Sequence, residues 1–145
     1  MYKIFNKAIS FKAAIWTVIL LSSVIIIFHL FVLLQIIPFK NVWAGKLKSV
    51  DEMYVYESIS IAVNCLLILI ISIKGQIINP GVSPRVINIL LWIFVILFVL
   101  NTMGNLTSKT SLETIIATPL TFIFALLCLR IVTDTNRNNN HRAVV

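Results

Sequence analysis

Four long stretches of the chain are almost entirely apolar, and short polar segments separate them. They cover residues 13–37, 53–73, 86–103 and 114–132, and each is long enough to cross the hydrocarbon core of a membrane as a helix. None alternates polar and apolar residues in the way that a membrane β-strand requires. Because a helix satisfies its backbone hydrogen bonds internally, the pattern predicts four transmembrane helices.

The short connections between these runs predict a single all-α membrane domain over residues 1–145, a four-transmembrane-helix bundle with up-down-up-down topology. We expect the polar tail, residues 134–145, to be flexible. Ser49 to Glu52 and Thr110 to Glu113 have the spacing of capping boxes before the second and fourth runs. Gly75 lies where the second helix is expected to stop.

The composition agrees with a membrane protein. Hydrophobic residues make up 59% of the chain and charged residues only 12%, whereas about a quarter of the residues in soluble domains are charged. The net charge is +7, but the basic residues form no stripe interleaved with aromatic residues. We therefore expect the lipid bilayer, and no nucleic acid, as the partner of the basic residues.

The distribution of basic residues predicts an orientation. If both termini are cytoplasmic, eight lysines and arginines lie on the inner side and four lie on the outer side. The outer four are Lys40, Lys46, Lys48 and Lys109. Because basic residues are enriched in cytoplasmic loops, we expect cytoplasmic termini. As a separate expectation, the protein is a multi-pass protein of the cell membrane, namely the bacterial inner membrane.

Polar residues within the runs lie mostly toward the predicted outer side. Residues spaced three or four apart share a helical face, and this spacing links three positions in the second run and two at the end of the third. The candidate ligand-binding residues are His29, Glu57, Ser60, Asn64, Asn101 and Asn105. Together they predict a polar pocket open to the outer side.

Glu57 is the strongest of these candidates. A carboxylate inside the membrane is costly, so it favours a functional interpretation, and pairing with Lys46, Lys48 or His29 would lower the cost. The alternative for Asn64, Asn101 and His29 is simple helix–helix hydrogen bonding, which contributes about 0.6 to 2 kcal/mol. Both interpretations remain open for these residues.

The first predicted outer loop contains Trp43, Lys46 and Lys48. Such a loop either covers the mouth of the bundle or anchors it at the membrane surface, where Trp and Lys are both common. We favour the anchor.

No catalytic motif is recognisable in the sequence. Metal-ligand spacing, a nucleophile elbow and a phosphate-binding loop are all missing, and Cys65 and Cys128 form no Cys-x-x-Cys pair. We therefore expect no metal, no cofactor and no catalytic residue.

Three functions fit these features. The first is binding or transport of a small or lipid-like molecule through the outward-facing pocket, with a homodimer possible for transport. The second is an accessory or assembly subunit that meets a partner membrane protein. The third is a lipid-modifying enzyme with Glu57 and His29 as an acid–base pair, which requires both within reach of one substrate atom. We rank them in this order and expect a protein that is not an enzyme.

The segment Leu100 to Asn105 (Leu-Asn-Thr-Met-Gly-Asn), taken with the first outer loop, resembles an uncharacterised family of small four-helix bacterial membrane proteins. The resemblance covers most of the chain, including Glu57. It implies a four-helix fold and a membrane location, and it implies no activity.

Overall fold

The computed structural model describes residues 9–39, 42–43, 46–108 and 113–134. This part of the chain is helical, which confirms the all-α prediction. The helices are α1 (Phe11–Leu33), α2 (Val50–Lys74), α3 (Pro84–Leu106) and α4 (Thr118–Val132), with a π-helical segment (Glu113–Ala117) directly before α4. Of the predicted polar tail, only Asp134 lies within the described residues.

Within the described chain, four helical stretches are long and apolar enough to cross a membrane. They contain 23, 25, 23 and 19 residues, with mean hydropathies of 2.0 to 2.5. Only 22% to 39% of the residues in their most apolar windows are buried inside the protein. Most apolar side chains therefore face outward, as is typical of helices surrounded by lipid.

Helix α1 ends at Leu33, although the apolar run of the sequence is longer. Gln35 has a left-handed backbone conformation with φ of 59°, which a right-handed helix cannot include. The backbone N–H groups of Gln35 and Ile36 donate to the carbonyl groups of Val32 and Phe31 at 2.8 and 2.9 Å. This arrangement satisfies the last carbonyls of the helix, and it uses Gln where Gly is more common.

Helix α2 ends in the same way, and the left-handed residue is Gln76 (φ 58°) rather than Gly75. The N–H of Ile77 donates to the carbonyl of Ser72 at 2.9 Å, while Gly75 keeps a helical conformation. Gly75 has a packing role instead, since a Cβ at this position would lie 3.1 Å from Cγ2 of Ile15. Its missing side chain lets α1 approach α2 closely.

The start of α2 contains half of the predicted capping box. The hydroxyl of Ser49 accepts a hydrogen bond from the N–H of Glu52 at 3.2 Å. The carboxylate of Glu52 accepts from the N–H of Lys48 at 2.8 Å, one residue before the position that a capping box would use. The second predicted box, at 110–113, lies outside the described side chains.

The fourth apolar run is divided between the π-helical segment and α4, because Pro119 lies at the start of α4. Proline has no N–H to donate to the carbonyl four residues earlier, so the regular α-helical pattern cannot pass through it. The hydroxyl of Thr121 donates to the carbonyls of Ala117 and Thr118 at 2.9 and 3.1 Å, which supplies hydrogen bonds at this junction.

Buried apolar side chains form two clusters. The large cluster takes residues from all four helices and fills the space between them: Ala14, Ile15, Val18, Leu67, Ile70, Ile71, Ile87, Leu91, Phe94, Val95, Phe98, Phe124, Ala125, Leu127, Cys128, Ile131 and Val132. The small cluster contains Val32, Val42, Leu47 and Met53. These four residues belong to α1, the first loop and the start of α2, so the loop packs onto the α1–α2 pair.

Helix α1 packs mainly against α2, and α3 packs mainly against α4, while α1 also contacts α4. The beginning of α1 meets the end of α2 at Ile15 and Gly75. The end of α2 is joined to the beginning of α3 by a hydrogen bond of 2.8 Å from Nζ of Lys74 to Oδ1 of Asn88.

Arg130 joins the end of α4 to the segment before α1. Its side chain is 5% exposed, its Nε donates to the carbonyl of Ile9 at 3.1 Å, and its Nη1 lies 2.8 Å from Oδ2 of Asp134. A buried guanidinium needs such partners, because an unpaired charge away from water is costly.

We expect Arg130→Gln to lower the free energy of unfolding by about 3 kcal/mol or more, because two hydrogen bonds of the guanidinium are lost and each contributes about 1.5–3 kcal/mol. The measurement is unfolding of the detergent-solubilised protein, followed by circular dichroism. Arg85→Gln is the matched control, since Arg85 is exposed at the start of α3. Equal stabilities of the two variants would contradict the role of Arg130.

Candidate functional site

Glu57 lies in the second turn of α2 and is completely buried. Each of its carboxylate oxygens has a protein partner: Oε2 lies 2.5 Å from Nδ1 of His29, and Oε1 accepts a hydrogen bond of 2.8 Å from the indole Nε1–H of Trp43. These partners come from α1 and the first loop, so three separate segments meet at one carboxylate. The cost of burying its charge is offset by these two donors.

His29 approaches Glu57 from α1, four residues before the end of that helix. Its side chain is 16% exposed, and its ring also contacts the ring of Phe28 edge-on at 5.7 Å. With Glu57 ionised, the Nδ1–H of His29 donates to the carboxylate in a charge-assisted hydrogen bond. Of the three partners considered from the sequence for Glu57, the structure places His29 in contact with it.

Trp43 is the member of this cluster that the sequence interpretation missed, since it was expected to be an interfacial anchor. Its backbone φ of 55° is left-handed, an uncommon conformation for a bulky residue and one that costs about 1–3 kcal/mol. Its ring lies 5.0 Å from the ring of Tyr56, at an angle of 50°. The hydrogen bond to Glu57 and this ring contact hold the indole against α2.

The other residues predicted for the site on α2 do not reach the carboxylate of Glu57 through a hydrogen bond. Asn64 donates from Nδ2 to the carbonyl of Ser60 at 2.9 Å, so its amide is bonded to its own helix. Both side chains are half-buried. This contact lies within α2 and does not join Asn64 or Ser60 to the carboxylate of Glu57.

The two predicted residues on α3 lie in a different environment. Asn105 donates from Nδ2 to the hydroxyl of Thr121 at 3.5 Å, and Thr102 donates to the same hydroxyl at 3.0 Å. These contacts join α3 to α4. Asn101 is exposed, and its side chain makes no hydrogen bond with the described part of the chain. Among the six predicted residues, the described contact between side chains of different helices is the one between His29 and Glu57.

A half-open hollow of about 280 Å³ lies beside the buried pair, between the first loop and the start of α2. Its lining residues are Trp43, Lys46, Leu47, Lys48, Glu52 and Tyr56. Trp43 therefore has two roles, since its ring lines the hollow and its indole N–H bonds to Glu57. Of the three side chains that meet at the Glu57 carboxylate, Glu57, His29 and Trp43, the one that lines the hollow is Trp43.

The described residues contain no group of three His, Cys, Asp or Glu side chains that would hold a metal ion. Cys65 is exposed and Cys128 is buried, each as a free thiol. The chemistry that this arrangement supports is therefore hydrogen bonding by Glu57 and its partners, and charge and aromatic contacts in the hollow. In the comparisons with known proteins, the chain matches no family model, no curated protein and no solved structure, so its function is argued from its own residues.

Proposed function

We propose that this multi-pass membrane protein binds a small amphipathic or lipid-like molecule in the hollow beside the His29–Glu57 pair. The observation that carries this proposal is the position of Trp43, whose ring lines the hollow while its N–H bonds to a buried carboxylate. Aromatic walls with a few fixed polar groups are typical of ligand sites. The hydrogen bond to Glu57 orients the indole ring that forms this wall.

The proposed topology is up-down-up-down with both chain ends in the cytoplasm, in a bacterial inner membrane. The orientation is supported by the excess of lysines and arginines in the predicted cytoplasmic segments, which contain eight against four in the predicted outer loops. In this orientation the first loop and its hollow face outward. The site then lies at the level of the lipid headgroups, where Trp43 and Tyr56 are favoured.

Binding is preferred to transport through a single copy. The large apolar cluster contains buried side chains from all four helices, so it occupies the space that a path across the bundle would need.

We also prefer binding to catalysis by His29 and Glu57. Acid–base catalysis needs both groups within reach of one substrate atom, but Glu57 is completely buried and both of its carboxylate oxygens already have protein partners.

We expect native mass spectrometry of the detergent-purified protein to detect a retained small molecule, and we expect Trp43→Ala to lose it, because this change removes one wall of the hollow. Trp92→Ala is the matched control, since Trp92 is exposed on α3. Circular dichroism checks that both variants keep their helices.

Retention of the same molecule by Trp43→Ala would contradict binding in this hollow. A bare wild-type chain that co-purifies with another membrane protein would favour an accessory subunit instead. A bare chain without any partner or adduct would also count against the proposal.

A further inference from the structure

We infer that the hollow takes the anionic headgroup of an amphipathic molecule, a phosphate ester above all, with Lys46 and Lys48 as its charged ligands. This inference rests on the proposed binding function and names the chemical class of the ligand. It is argued from the charges, the volume and the position of the hollow.

The charges of the hollow are unbalanced. Its lining contains two ammonium groups, Lys46 and Lys48, and one carboxylate, Glu52. Glu52 already accepts the N–H of Lys48 and lies in the first turn of α2, where the helix dipole favours a negative charge. In the described part of the chain, neither lysine ammonium has a carboxylate within salt-bridge distance. The unmatched charge of the hollow is therefore positive.

The volume of about 280 Å³ lies just below the range of ligand pockets, which is roughly 300–1,000 Å³. A headgroup fits such a volume, whereas a whole lipid does not. The apolar part of the ligand must then leave the hollow. Ile59 lies one turn beyond Tyr56 on the same helical face and is 53% exposed, so an apolar surface leads from the hollow toward the lipid.

The aromatic wall suits the part of the ligand where the polar headgroup meets the apolar carbons. Trp43 and Tyr56 lie with ring centroids 5.0 Å apart and present both an apolar face and a polar edge. Leu47 is buried in the small cluster and supports the same wall. A phosphate held by the two lysines would place the first carbons of its ester against these rings.

The test uses the fluorescence of Trp43 as the only tryptophan. The chain contains three tryptophans, and Trp16→Phe with Trp92→Phe leaves Trp43 alone. The detergent-solubilised protein is titrated with dihexanoyl phosphatidylglycerol, dihexanoyl phosphatidylcholine and inorganic phosphate. We expect the phosphatidylglycerol to change the Trp43 emission with an apparent Kd at least tenfold lower than that of the phosphatidylcholine. We expect added salt to weaken its binding.

The charge variant is Lys46→Gln with Lys48→Gln, and it should remove the tenfold preference for phosphatidylglycerol. Its matched control is Lys12→Gln with Arg85→Gln, which removes the same charge from exposed positions that do not line the hollow. The control variant should keep the preference. Circular dichroism checks the folding of both.

The outcomes separate the inference from the proposed function. Equal binding of both lipids, unchanged by Lys46→Gln with Lys48→Gln, would overturn the anionic headgroup while the Trp43 response still supports a binding site. No response to any of the three probes would overturn both. Binding of inorganic phosphate as tight as that of phosphatidylglycerol, lost in the charge variant, would support the same anion chemistry with a free phosphate as its source.

Discussion

Replacing Glu57 by alanine is expected to lower the free energy of unfolding by about 3–5 kcal/mol, because two hydrogen bonds to a carboxylate are lost and each contributes about 1.5–3 kcal/mol. The variant leaves Nδ1 of His29 and Nε1 of Trp43 without their common acceptor. It also removes the contact that joins α1, α2 and the first loop. The measurement is unfolding of the detergent-solubilised protein by sodium dodecyl sulfate, followed by circular dichroism.

Glu57→Gln separates the loss of charge from the loss of shape. The glutamine keeps the volume of the side chain and one carbonyl oxygen, which can still accept from Trp43, so we expect a loss of about 1–2 kcal/mol for the weaker contact with His29. Ser58→Ala is the control, because Ser58 is the exposed neighbour of Glu57 on α2. If both Glu57 variants unfold at the same denaturant concentration as Ser58→Ala, the buried pair does not stabilise the fold.

The four helices could be predicted from the sequence because the length of each apolar run is set by the thickness of a membrane. Their ends were less predictable, since α1 and α2 end two residues before the left-handed Gln35 and Gln76. Gln carries no strong signal for a left-handed conformation, whereas Gly75, which does carry one, is helical. Gly75 is explained by a close contact with Ile15, and such a contact depends on the packing of two helices.

The pairing of His29 with Glu57 was only half predictable. Each residue lies within about two turns of a helix end that faces the same loop, so the sequence places them at similar depth. The sequence does not show which face of α1 contacts α2. Helix α1 is apolar on all sides, because both protein and lipid favour apolar residues, so its periodicity does not identify the contact face.

The grouping of Asn101 and Asn105 with Glu57 shows what the sequence leaves open. Depth in the membrane was the shared property, but residues at one depth contact each other only if their helices pack there. In the structure, the end of α3 bonds to α4 through Thr102, Asn105 and Thr121. The small cluster beneath the first loop contains residues of α1, α2 and the loop alone, so the two polar groups belong to different helix pairs.

Trp43 could not be assigned to Glu57 from the sequence, because the direction of a loop side chain follows from backbone angles that composition does not specify.

The second large effect that we expect is a loss of stability when Trp43 can no longer donate a hydrogen bond to Glu57. We expect Trp43→Phe to lower the free energy of unfolding by about 1.5–3 kcal/mol, since the phenyl ring can keep its contact with Tyr56 but cannot donate to Glu57. Trp16→Phe and Trp92→Phe are the matched controls, because both residues are exposed.

A double-mutant cycle of Trp43→Phe with Glu57→Ala distinguishes the hydrogen bond from ring packing. With Glu57 absent, the indole N–H has no acceptor to lose, so the cost of Trp43→Phe should fall by at least about 1 kcal/mol, as expected for two residues in direct contact. An equal cost in both backgrounds would mean that the ring stabilises the loop only by packing. In that case the wall of the hollow would not depend on Glu57, and the link between the buried pair and the binding site would be lost.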